Sequence, residues 1–67
     1  MDYEFRFFRK GLLEALHVTV LPNDGEALER ARTYLNASPH FQYIEVRCGL
    51  RFVDRVANGQ DAPGIEA

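Results

Sequence analysis

The sequence predicts an α+β domain of order ββαββ: a four-stranded antiparallel sheet with one helix packed on one face. Three observations predict it. Apolar residues alternate with period two over 3–8 and 13–21, and again from Phe41 to Val56. The stretch between Pro22 and Pro39 instead repeats its apolar residues at helical spacing. A glycine, Gly11 or Gly49, sits where each pair of alternating runs would turn back on itself.

The first strand is YEFRFF, with Tyr3, Phe5 and Phe7 on one side and Glu4, Arg6 and Phe8 on the other. The second is LEALHVTVL, which sets Leu16, Val18 and Val20 against Ala15, His17 and Thr19. A loop of two residues (Lys10-Gly11) or of four (9–12) pairs Phe7 with Glu14, Phe5 with Leu16 and Tyr3 with Val18. Either loop places the aromatic stripe and the Leu/Val stripe on one buried face. Pro22 ends the strand because it has no N–H to donate to a ladder. Asn23 or Asp24 caps the helix that follows, and the early acids Glu26 and Glu29 suit its positive end. Ala27, Leu28, Ala31 and Leu35 form its inner face, with Tyr34 at the edge, and Asn36-Ala37-Ser38-Pro39 stops it.

In IEVRCGLRFVDRV the even residues Ile44, Val46, Cys48, Leu50, Phe52 and Val56 are apolar, while Glu45, Arg47, Arg51 and Arg55 are odd. Keeping the even residues of both arms on one face requires an odd loop. A three-residue turn, Arg47-Cys48-Gly49, with Gly49 left-handed, meets the requirement and pairs Val46 with Leu50. The domain is therefore expected over residues 1–56, with 57–67 as a flexible C-terminal tail.

Composition narrows the function classes. The net charge is −2 over 67 residues, which argues against a general polyanion binder. Residues 1–10 and 38–56 each carry +1, while 11–37 and the tail carry −2 each, so the predicted sheet is mildly basic. Cys48 is the only cysteine, which rules out an intrachain disulfide and a multi-cysteine zinc site. The start MDYEF does not read as a secretory leader, and no run is apolar enough to span a membrane. A cytoplasmic protein without membrane attachment is the expectation.

No constellation suggests catalysis. His17, His40 and Cys48 stand at no ligand spacing, Cys48 has no assigned base, and the carboxylates are scattered. Asn23-Asp24-Gly25 has too few acids and glycines for a calcium or phosphate loop, and capping accounts for it. The expectation is a non-enzymatic domain with no cofactor and no metal. One helix covers one face of such a sheet, which leaves the other for water or a partner. The candidate binding residues on that open face are Arg6, Phe8, Leu13, Tyr43, Arg47, Arg51 and Arg55. Arginines between aromatics can hold phosphates and stack bases, which gives weak RNA or single-stranded DNA binding as the alternative reading. Glu4 and Glu45 on the same face count against it, and no nucleic-acid motif is present. The Phe8–Leu13 pair favours a protein partner or a second copy of the chain, since two such side chains are better covered than exposed.

With these motifs in place, the chain resembles a group of small uncharacterised bacterial proteins, mostly alphaproteobacterial. They share an aromatic first strand, a glycine turn, a D-x-x-A-x-x-x-A helix start and a closing [IV]-E-V-W-x-G-x-R-x-V hairpin. The corresponding residues here are YEFRFF, Gly11, Asp24 with Ala27 and Ala31, and IEVRCGLRFV, with Arg47 in place of the usual Trp. The resemblance covers residues 3–56. It implies the ββαββ fold and no particular activity.

Overall fold

The computed structural model describes residues 1–57. The chain runs β1 (Asp2–Arg9), β2 (Leu12–Val20), α1 (Asp24–Ala37), β3 (Tyr43–Cys48) and β4 (Arg51–Ala57). The four strands form one antiparallel sheet in the order β2-β1-β3-β4. The predicted ββαββ architecture is present, with the two hairpins joined through the central pair β1–β3. Of the tail expected over 57–67, Ala57 ends β4 and the remainder lies outside the described residues.

The helix is built as its residues dictate. Asn23 caps it, its Oδ1 accepting from the Glu26 N–H at 2.9 Å, and Asp24 and Glu26 occupy the first turn. Ala27, Ala31 and Leu35 are buried, and Leu28 and Tyr34 pack beside them. These small residues let α1 lie close over β3 and β4. The Tyr34 ring reaches back to Phe5 and Phe7 on β1, with centroids 5.4 and 5.7 Å apart. Tyr3, Phe5, Ile44 and Val46 join the core at zero exposure, with Phe7, Leu21 and Val56 buried beside them. No residue of β2 belongs to that core.

Both hairpins depart from the predicted register, each through one extra residue. The first turns over Lys10-Gly11, both at positive φ (54° and 77°), the two-residue option of the sequence reading. Arg9 faces Leu12 and Phe8 faces Leu13, but Phe7 faces Ala15, so Glu14 is left over as a β-bulge. Phe5 therefore pairs with His17 and Tyr3 with Thr19, not with Leu16 and Val18. Because strand side chains alternate, this one-residue shift moves Leu16, Val18 and Val20 off the helix side. They stand 53 %, 55 % and 68 % exposed.

The second hairpin turns over Gly49-Leu50 with Cys48 facing Arg51, so the three-residue loop is not formed. Gly49 does take positive φ (62°), at the first position of a two-residue turn where glycine is preferred. The parity that demanded an odd loop is met instead by a bulge at Val53: Arg47 faces Phe52, while Val46 faces Asp54 and Ile44 faces Val56. Leu50, read as a core residue, is 98 % exposed at the turn, and Phe52 is half exposed.

Lys10 is the one non-glycine residue at positive φ among those described. A left-handed backbone costs an ordinary L-residue about 1–2 kcal/mol and asparagine less. Lys10→Asn is therefore expected to stabilise the domain by about 1 kcal/mol, read as a higher urea midpoint at unchanged slope.

Candidate functional site

The face opposite α1 combines two kinds of surface. Across β1 and β3, Glu4 faces Arg47 and Arg6 faces Glu45. Arg6 bonds Glu4 and lies 3.9 Å from Glu45, and Arg47 lies 3.8 Å from the same carboxylate. Exposed pairs of this kind contribute little stability, but they leave the band close to neutral. At one end Phe8 stacks on Tyr43 at 4.8 Å, and the Arg55 guanidinium sits 4.9 Å from the centre of the Tyr43 ring. Along β2 the surface is apolar. Leu13, Leu16, Val18 and Val20 line it, each at least half exposed, opposite Phe8, Arg6, Glu4 and Asp2 of β1.

Six of the seven residues expected on this face are consistent with it by register: Arg6, Phe8, Leu13, Tyr43, Arg47 and Arg55. Arg51 is not. The two-residue turn Gly49-Leu50 places it opposite Cys48, on the helix side. There its Nη1 and Nη2 donate to Asp24 Oδ2 and Oδ1 at 2.9 and 3.0 Å. Val53, the bulged residue, packs against the core. His17 likewise moves to the helix side, its ring 6.4 Å from Phe5 and 5.6 Å from Tyr34.

Sequence reasoning missed two features. One is the β2 stripe, which the alternation assigned to the core. The available clue was that Ala15–Leu21 carries no charge on either parity, whereas a strand exposed to water on one side usually alternates polar with apolar. The other is Asp24, read only as a cap. Besides Arg51, its carboxylate accepts the Tyr3 hydroxyl at 2.7 Å, so one acid ties the helix start to β1 and β4 together. The Arg51 hydrogen bonds, and then that of Tyr3, bring Asp24 down to about 2. The same bond to Asp24, with burial, pushes Tyr3 up to about 12.

Among the described residues no group of His, Cys, Asp and Glu gathers as a metal cage, and no helix is long and apolar enough to cross a membrane. No family model matches the chain, and no curated protein or solved structure does either.

The shifted groups fix the pH response. Asp24 titrates lower folded than unfolded, so its contribution is full above about 4 and is lost as pH falls toward 2. Tyr3 titrates higher folded, so its contribution is full below about 10 and is lost as pH rises toward 12. In urea melts across pH, Asp24→Asn should flatten the acid limb and Tyr3→Phe the alkaline limb. Unchanged limbs would show that the Tyr3–Asp24–Arg51 contact is not formed in solution.

Proposed function

We propose that this chain is a non-enzymatic protein-contact domain whose docking surface is the apolar stripe of β2 with the adjoining open sheet face. The observation that carries this reading is the exposure of Leu13, Leu16, Val18 and Val20 in one row on a strand that contributes nothing to the core. Contiguous apolar surface on a small domain marks a contact site more often than a solvated face does. The neighbouring charge band supports the same reading, because its acids and arginines neutralise each other and leave β2 as the distinctive patch. The partner is a second copy of the chain or another protein. The likeness to small bacterial ββαββ proteins bears on the fold and adds no activity.

Weak binding of RNA or single-stranded DNA is the competing proposal. The Phe8–Tyr43 stack with Arg55 above it favours this reading, as an aromatic platform with a cation beside it. Arg6 and Arg47 sit against Glu45, and Arg51 bonds Asp24 on the helix side, so the arginines do not converge.

The test compares the wild type with the Leu16→Lys, Val18→Lys double variant by light scattering above about 100 µM and by binding of an apolar fluorescent dye. The wild type should exceed its 7.7 kDa monomer mass or bind the dye, and the double variant should do neither. A wild type that does neither, or a double variant that behaves like it, removes the reading. Titration with mixed RNA and single-stranded DNA at low salt should give no salt-sensitive binding below about millimolar. Tighter binding that is lost with Arg55→Ala and Tyr43→Ala would favour nucleic acid instead.

A further inference from the structure

The edge of β2 makes the partner more specific. Met1 and Leu21 exchange both backbone bonds, each at 3.0 Å, and so form a hydrogen-bonded pair of the β1–β2 ladder. Such pairs alternate along an antiparallel ladder. With the observed register, Thr19, His17 and Ala15 direct their N–H and C=O groups toward β1, and Val20, Val18 and Leu16 direct theirs outward. The outward backbone groups thus belong to the same residues whose side chains form the exposed apolar stripe.

The two edges of the sheet are treated differently. On β4 the edge is broken by the Val53 bulge and carries Arg51, Asp54 and Arg55, the usual protections against strand addition. On β2 the bulge at Glu14 and the proline at 22 lie at either end of an unprotected, uncharged run from Ala15 to Leu21. The run is self-complementary about a two-fold axis. When two copies pair antiparallel with Val18 opposite Val18, Leu16 falls opposite Val20, and all three outward residues find one another. The register two residues to one side brings in the Glu14 bulge, and that to the other brings in Pro22, which has no N–H. Absence of charge removes any repulsion at the seam between two chains of net charge −2.

Building on the proposed role of β2 as a contact surface, we infer that the partner is a second copy of the chain, added edge to edge through β2. The product is a two-fold dimer with one continuous eight-stranded sheet and both helices on the same side. It is isologous, as two-fold contacts are, and uses backbone bonds for affinity and the Leu/Val row for register. On the helix side, the same register sets His17 opposite Thr19 of the other copy.

The outward N–H of Val18 gives a selective test. Val18→Pro removes that donor without touching the β1–β2 ladder, a placement proline tolerates on an edge strand. Sedimentation should show the wild type reaching a dimer between about 10 µM and 1 mM, and Val18→Pro weakening it by about tenfold or more with an unchanged circular dichroism spectrum. If the proline variant misfolds, mixed-isotope NMR of the wild type decides. Pairing centred on Val18 requires an intermolecular contact between the α-protons of His17 and Thr19, which lie too far apart within one strand to give it. A dimer that survives Val18→Pro, or lacks that contact, overturns edge pairing while leaving the contact reading intact. A wild type that stays monomeric overturns it too, and dye binding to the stripe then separates that result from failure of the contact reading.

Discussion

A helix about 10 Å across covers roughly two strand spacings of about 4.8 Å each, and the described residues form one helix for four strands. It lies over β3 and β4 and reaches β1 through Tyr34. The strand left outside is β2, although it is the longest at nine residues. Much of the molecule follows from that shortage of cover. The aromatic side of β1 is sealed because it sits inside the reach of the helix. Among the described residues the opposite side of the sheet has nothing over it, and on the helix side β2 meets α1 through His17 against Tyr34.

Given so narrow a lid, holding it in place matters. The Asp24 carboxylate does this at one end, taking the Tyr3 hydroxyl from β1 and the Arg51 guanidinium from β4. It sits in the first helical turn, where a negative charge is also favoured by the helix dipole. Aromatic packing of Tyr34 and Phe41 against Phe7 secures the other end. The lid is thus held by a polar latch at its start and by ring contacts near its close, with Ala27 and Ala31 allowing close approach between them.

The element order, the β1 core stripe, the helix face and the Asn23 cap were legible in the sequence, because each rests on local periodicity or local capping chemistry. The outer strand of each hairpin was not. Alternation shows that Leu16, Val18 and Val20 share a face, but not which face, since that depends on an extra residue elsewhere in the strand. Glu14 is unremarkable in sequence, and its bulge reverses the assignment of every residue from Ala15 to Val20. In the closing hairpin the parity argument correctly required one odd residue, which the structure places at Val53 and not in the turn. Arg51 consequently changed sides, and with it the meaning of Asp24. The arginines at 47 and 55 remain where alternation put them because they lie on the pairing set by Glu45 and Phe52.

The bulge at Glu14 also has an evolutionary reading. Deleting that single codon would close the ladder while keeping Ala15 opposite Phe7 and Leu16 opposite Arg6, so Leu16, Val18 and Val20 would stay on the open face. From such a shorter strand, the bulge is how the hairpin takes in one inserted residue without turning its outer strand over. The outward stripe of this hairpin therefore tolerates a one-residue change in strand length at that position. A lineage could gain or lose Glu14 through one in-frame indel and keep the sticky edge, a tolerance that substitution-by-substitution comparison of homologues would not register.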